Sequence, residues 1–330
     1  MSPLSLCIVG CGRIARRHAR AARRLRPDLI LSFASRDRAK AEAYRRRFGG
    51  REAFGSYEAA AASPLVDALL FCTPHERHVE DAELASAHGK HVLLEKPIAR
   101  SLEEADRILD ATRAAGSTLM VAENFAFMPA FRMARRLVAS GLLGPLRQIQ
   151  IIARGYRVPS DWRTSLDATG GGAFIDGGIH YVNLLFQWGG QVESLYALRP
   201  PQTIHDMKGE DSLILLARMA NGAVGIISNS IGTPGLSRQQ FSSVTGSDGS
   251  LVVHNQGRYL RLRSRRGRAL RIFLRDLRGL EAQMREFVDA VRTHRPPLVD
   301  GEAGRRDLAF VLAAYRSVAE GRPVAFRVDG

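Results

Sequence analysis

Lysine is scarce in this chain of 330 residues. Only Lys40, Lys90, Lys96 and Lys208 occur, so 44 of the 48 basic residues are arginines. Cysteine is scarce as well. Cys7, Cys11 and Cys72 form no CxxC pair, which argues against a disulfide framework or a thiolate zinc site and points to a reducing compartment. No apolar run approaches the roughly 20 residues of a membrane span. The first apolar stretch, Leu4–Val9, has no basic segment before it and is too short for a signal peptide. The cytoplasm is therefore the expected location, with no membrane partner. Internal repeats and low-complexity linkers are missing too.

The formal net charge is +15 and the pI about 10.7, which raises the question of nucleic acid. The arginines are dispersed, however. The short clusters Arg23–Arg24, Arg45–Arg47 and Arg265–Arg268 lack the interleaved aromatic side chains of a base-stacking platform. No nucleic-acid partner is expected; a field that attracts anionic small molecules is the better reading.

Apolar runs and helical patterns alternate through the first third. Leu6–Val9, Leu29–Ala34, Val66–Cys72, His91–Leu94 and Thr118–Ala122 read as strands. Ala15–Leu25, Arg38–Phe48 and a helix after Ser101 and Glu104, a capping box, read as helices. Such alternation predicts a doubly wound parallel sheet. After about residue 124 a helix, Phe131–Ser140, is followed by strand patterns at Leu146–Ala153, Val192–Leu198, Leu213–Met219, Ala223–Ser230, Gln240–Gly246 and Tyr259–Arg263. The turns Asn221–Gly222 and Ser247–Gly249 separate some of them, and helices Leu280–Thr293 and Glu302–Glu320 close the chain. Short connections predict a largely antiparallel sheet. The expected organisation is an α/β chain with an N-terminal Rossmann domain, 1–122, and a C-terminal α/β domain, 123–330.

"IVGCGRIARRHA", Ile8–Ala19, places Gly10 and Gly12 between a strand and a helix. Gly10 and Gly12 permit a tight turn and close approach of a pyrophosphate, which meets the free N–H groups of the helix start at Arg13 and Ile14. Ala15 stands where a third glycine would serve helix–strand packing. The second strand ends Ala34-Ser35-Arg36 rather than in a carboxylate, and Asp37 comes one or two positions late for the ribose hydroxyls. Serine and arginine can bind a 2′-phosphate, so NADP is expected, with NAD the alternative.

"HVLLEKPIA", His91–Ala99, sets Lys96 just past a buried strand, where ligands collect in open parallel sheets. It could equally be a surface lysine before a helix. In a chain so rich in arginine, a retained lysine suggests a need for its compact ammonium. "GGGAFIDGGIHYVNLLFQWGG", Gly170–Gly190, predicts a helix from about Ala173 to Trp188. Asp176, His180 and Asn183 then share one face. Gly177 and Gly178 inside a helix each disfavour it by about 1 kcal/mol against alanine, which suggests something flat lying close to the backbone. A core histidine with a helical ion-pair partner is the plainer alternative.

Together with "TPHERH" at Thr73–His78, "ENFAFMPAFR" at Glu123–Arg132, "WR" at Trp162–Arg163 and "NGAVG" at Asn221–Gly225, these stretches resemble the glucose–fructose oxidoreductase/inositol dehydrogenase (Gfo/Idh/MocA) family across nearly the whole chain. The resemblance implies catalytic roles for Lys96, Asp176 and His180. It implies cofactor contacts from the Gly10–Ala15 turn and from Thr73, Pro74, His78, Glu95, Lys96, Pro97, Asn124, Trp162 and Arg163. It implies substrate contacts from Lys96, Asp176 and His180, joined by Asn183 where the family often has aspartate. An amide cannot carry charge, which leaves the polyol substrate open. It also implies a homodimer or homotetramer built on the C-terminal sheet. The expected activity is hydride transfer between a nicotinamide and a secondary alcohol or ketone of a sugar, cyclic polyol or nucleotide-sugar. His180 would be general base, Asp176 its orienting partner and Lys96 the donor to the reacting oxygen. A non-sugar carbonyl, dihydrodiol or imine substrate, or a non-catalytic NADP sensor or assembly protein, are the rivals. Substrate-reading side chains are expected in Arg154–Thr169 and Gly232–Gln239.

Overall fold

A computed structural model describes residues 2–234 and 239–327. The chain divides into two units, Met1–Glu123 with Leu280–Arg305, and Asn124–Gly279 with Arg306–Gly330.

The first unit is built on six parallel strands ordered β3-β2-β1-β4-β5-β6. These are β1 (Leu4–Val9), β2 (Leu29–Ala34), β3 (Ala53–Phe54), β4 (Ala68–Phe71), β5 (His91–Leu94) and β6 (Leu119–Val121). Every residue of β1 and β4 is buried, as expected of strands covered on both faces. The connecting helices are α1 (Arg13–Ala22), α2 (Arg38–Phe48), α3 (Tyr57–Ala62), α4 (His78–Ala87) and α5 (Leu102–Ala114). Ser101 caps α5, its Oγ accepting from Glu104 N. Glu104 reaches back one residue further than a capping box requires, accepting from Arg100 N at 2.9 Å. The order reverses between β1 and β4, so the chain leaves their carboxyl ends in opposite directions and opens a crevice there.

A single boundary after residue 122 does not describe this unit, because the chain returns to it. A late helix, Leu280–Thr293, packs along α1. It is tied there by Arg24–Glu281 at 3.3 Å and by Arg292, which donates to the Asp28 and Ser2 carbonyls. Asp300 bridges Met120 at the outer edge of β6.

The second unit holds α6 (Pro129–Ala139), β7 (Leu146–Arg154), α7 (Leu166–Thr169), α8 (Ile179–Gly189), β8 (Val192–Leu198), β9 (Ser212–Met219), β10 (Val224–Ser230), β11 (Gln239–Gly246), β12 (Gly249–His254), β13 (Tyr259–Ser264) and β14 (Gly267–Ile272). The late helix just described is α9. It is followed by α10 (Gly301–Glu320) and β15 (Val324–Ala325). The nine strands run β14-β13-β12-β11-β7-β10-β9-β8-β15. All pairs are antiparallel except β7 with β10. One face carries α6 and α8. The other presents Leu198, Ile214, Leu216 and Val224, each 44–53% exposed. Alternation along β9 separates the two faces residue by residue. The Asn221–Gly222 hairpin turn forms with Gly222 at φ 81. No helix among the described residues is long and apolar enough to cross a membrane.

Candidate active site

In the first unit the nucleotide turn has two glycines with different duties. Gly10 adopts φ 87, and a Cβ there would come to 3.0 Å from the Cys72 carbonyl oxygen, so the fold itself demands glycine. Gly12 precedes α1 at φ −105 and a Cβ there would meet nothing within 4 Å. Its bareness serves no internal contact; it leaves the N-terminus of α1 open, with the N–H groups of Arg13 and Ile14 unclaimed by the helix. Ala15 is fully buried, the packing role of the third motif position. Such a cradle fits a pyrophosphate. At the end of β2, Ser35 Oγ accepts from Asp37 N at 3.2 Å. The Asp37 carboxylate accepts from Ala39 N and Lys40 N at 3.0 and 3.4 Å, which occupies it as the cap of α2. Arg36 beside it is exposed.

The next strand ends are joined by a buried polar network. Thr73, followed by Pro74, donates to Asp81 at 2.6 Å. Burial pushes the Asp81 carboxyl up to about 6 against the pull of Thr73 and Arg77. His78 is fully buried, and burial pushes its pKa down, leaving a neutral ring with one N–H. The Nδ1 contact to Pro97 O, 2.9 Å, is shorter than the Nε2 contact to Thr73 O, 3.3 Å, and is the better claimant for that proton. His78 thus links the Lys96–Pro97 turn, whose peptide is cis, to the end of β4. Glu95 meets the buried His18 Nε2 at 2.6 Å. Lys96, between Glu95 and Pro97, is half-buried.

In the second unit the segment 170–190 enters α8 through a π turn, Phe174–Gly178, which carries Asp176. Widened turns of this kind occur mostly singly, frequently at functional sites. The turn is held by residues distant in sequence. Glu210 Oε1 accepts from Phe174 N at 2.8 Å and from the Tyr315 hydroxyl at 3.0 Å. That hydroxyl accepts from Gly172 N and Ile175 N at 3.3 and 3.2 Å, and Glu210 O accepts from Ala173 N. These bonds satisfy N–H groups that a helix start leaves orphaned. Burial pushes the Glu210 carboxyl up. The approach requires bare backbone: a Cβ at Gly172 would lie 2.1 Å from Glu210 O.

His180, on the first turn of α8, is held flat. Its ring stacks on Phe125 with centroids 4.3 Å apart and planes 4° from parallel. Phe125 sits in a short turn, Asn124–Phe127, where Asn124 donates to Arg278 O at 2.7 Å. Asp176 Oδ2 is met by Arg163 Nε at 3.3 Å and by an Arg157 terminal nitrogen at 3.6 Å. Arg163 lies over the Trp162 ring, 4.3 Å from its centroid. Within the second unit the arrangement offers an imidazole of fixed plane and a carboxylate with its charge answered.

Residues 4–123 match the oxidoreductase family with an NAD-binding Rossmann fold, and residues 131–252 match the GFO/IDH/MocA C-terminal domain. Inositol 2-dehydrogenase of Rhizobium meliloti is 30% identical over 330 residues, spanning 96% of this chain and 98% of that protein. The chain belongs to the Gfo/Idh/MocA oxidoreductase family. It is an NAD(P)-dependent oxidoreductase. A second relative of this oxidoreductase, D-xylose 1-dehydrogenase (NADP(+)) 2 of Haloferax volcanii, is 28% identical over 89% of the chain and 90% of its own length. The fold matches levoglucosan dehydrogenase solved with NADH and L-sorbose, with a TM-score of 0.89 and 20% identity over 99% of this chain and all of that one.

Two readings of the oxidoreductase's helix need correction. Asn183 does not present its side chain with Asp176 and His180. It is 1% exposed, donating to Asp307 and accepting from Gln187, each at 2.5 Å. The π turn and α8 together take the place of an uninterrupted helix, and the amide points into a buried network. Gly177 is open, with nothing within 4 Å of its Cβ position, whereas at Gly178 the Phe174 ring lies 2.3 Å away. Only the first glycine leaves room for a ligand. His78, expected beside the cofactor, is fully buried and contacts the Pro97 and Thr73 carbonyls. Glu210 and Tyr315 carry no motif and escape sequence reading. The glycine run 170–172 was their one trace, since bare backbone calls for a close neighbour without naming it. Of the two stretches expected to read substrate, Arg154–Thr169 brings Arg157 and Arg163 to Asp176, with Arg163 over Trp162, and residues 235–238 of the other lie outside the described residues.

Proposed function

We propose that this oxidoreductase interconverts a secondary alcohol and a ketone on a sugar, a cyclic polyol or a nucleotide-sugar, with NADP(H) preferred over NAD(H). A bound nicotinamide supplies the hydride acceptor or donor. The Gly10–Ala15 turn holds the pyrophosphate, Ser35 and Arg36 take the 2′-phosphate, and Thr73, Pro74, Glu95, Pro97, Asn124, Trp162 and Arg163 complete the cofactor's surroundings. His180 removes the hydroxyl proton in oxidation and returns it in reduction. Asp176 stabilises the imidazolium that forms, and Lys96 donates to the reacting oxygen. The observation that carries this reading is the stacking of His180 on Phe125 one turn past a clamped Asp176. That is pre-organisation a core histidine does not need.

Asp37's engagement as a helix cap supports the NADP preference, since its Oδ1 is directed at the start of α2 and Ser35 and Arg36 are the residues at the end of β2. The outward row of Leu198, Ile214, Leu216 and Val224 supports association of two or more copies through the sheet of the second unit. Screening polyols, sugars and nucleotide-sugars against NADP⁺ and NAD⁺ tests the reaction. Lys96→Ala and His180→Ala are each expected to lower kcat by about 100-fold or more while nucleotide binding persists. Arg36→Ala is expected to lower NADP⁺ affinity and spare NAD⁺. Wild-type turnover in both catalytic variants would end the assignment.

A further inference from the structure

The charge arithmetic around Asp176 does not close. One carboxylate oxygen is shared by two guanidinium groups, Arg163 at 3.3 Å and Arg157 at 3.6 Å. Their nitrogens therefore lie within about 7 Å of each other. Among the described residues no other carboxylate pairs with either. Arg163 is the more buried, 28% exposed against 51%, and is held over Trp162, so it already answers Asp176. Arg157 is surplus: a second cation, repelled by the first, with about half of its side chain exposed.

That surplus is mounted on fixed backbone. Arg157 N donates to Ile231 O at 2.9 Å, and Gly155 exchanges bonds with Ser230 O and Thr233 N on the same neighbouring segment. Tyr156 bridges Gly232. A Cβ at Gly232 would lie 2.3 Å from Asp211 Oδ2, and Asp211, 1% exposed, is itself fixed by Thr203 N and Ile204 N. A guanidinium that shares its one paired carboxylate with another, on a braced segment past the end of β7, is suited to receive an anion.

We propose that the substrate carries an oxyanion, a carboxylate or a phosphate ester, and that Arg157 receives it. This rests on the alcohol–ketone reading above and narrows it from neutral polyols to sugar acids, sugar phosphates or nucleotide-sugars. The forked donors pair with two oxygens of the anion, and the added negative charge relieves the repulsion between Arg157 and Arg163. The oriented substrate then presents its hydroxyl to His180.

The test compares kcat/KM for matched substrates: neutral aldoses and inositols, the corresponding uronates or aldonates, and the corresponding sugar phosphates and nucleotide-sugars. Wild type is expected to favour one anionic set over its neutral counterpart by about 10- to 100-fold, and which set wins distinguishes carboxylate from phosphate. Arg157→Gln is expected to abolish that preference and Arg157→Lys to retain part of it. Arg261→Gln, on the exposed β13 strand, controls for the general positive field and is expected to keep the preference whole. Equal use of neutral and anionic substrates by wild type, or an undiminished preference in Arg157→Gln, overturns the inference and leaves the alcohol–ketone reading standing. Turnover of neither set overturns both.

Discussion

Replacing Tyr315 by Phe removes one oxygen atom and keeps the ring, so it isolates the clamp on the π turn. That oxygen accepts from Gly172 N and Ile175 N and donates to Glu210. Glu210 keeps its bond from Phe174 N, so the carboxylate is only partly deprived. The two backbone N–H groups lose their partner in a buried setting, at about 1–3 kcal/mol for each group left unsatisfied. Some relaxation of the turn recovers part of this, and a net loss of roughly 2–4 kcal/mol is expected. For a unit of this size each kcal/mol lowers Tm by about 2–4 °C, which gives roughly 5–15 °C. Activity is expected to fall more than stability implies. Asp176 rides on the loosened turn, and small misplacements of reacting groups are expensive: about 10-fold or more in kcat, with cofactor affinity unchanged. Differential scanning calorimetry and steady-state kinetics on the same preparation read both quantities. A Tm within about 1 °C of wild type together with an unaltered kcat would refute the claim that this hydroxyl holds the turn.

Gly12→Ala is expected to leave Tm of the cofactor-free protein unchanged and to weaken NADP⁺ binding at least about 10-fold. Gly10→Ala is expected to lower both, by roughly 1–2 kcal/mol in stability, because its backbone is left-handed; thermal shift and fluorescence titration separate the two. Asp81→Asn concerns pH. The Asp81 carboxyl is raised from 3.8 to about 6, so its ionised form disfavours the fold. That penalty is absent below pH 3.8, grows as pH rises and is complete above about 6, where the gap corresponds to roughly 3 kcal/mol. The variant is expected to be more stable than wild type at pH 7.5 and no more stable at pH 4; urea titrations giving the same difference at both would contradict this.

The parallel sheet was legible because its strands are buried on both faces and read as short apolar runs, as in Leu29–Ala34 and His91–Leu94. Strand β9 was legible by its alternation. Strand β14 was not: nearly all its residues are exposed, so Gly267–Ile272 carries no apolar period, and only pairing with β13 makes it a strand. Strand β12 hid behind the turn signal at Ser247–Gly249. In the site, glycine spacing and the Asp176–His180 interval were visible because the interaction is local. The Glu210–Tyr315 clamp joins residues 105 positions apart, and only the folded chain brings them together. Asn183 misled because an ideal helical wheel takes no account of a π turn or of a buried aspartate, Asp307, waiting on another helix.

The return of Leu280–Arg305 to the first unit governs how this protein is made. A nascent chain that has released only its first 123 residues from the ribosome has six strands but lacks the helix that lies along α1 and the residue that bridges β6. It must wait through the synthesis of an entire second sheet before it can finish. Expression of residues 1–123 alone is therefore a poor route to an isolated nucleotide domain, whereas joining 1–123 to 280–305 through a short artificial loop supplies the missing piece.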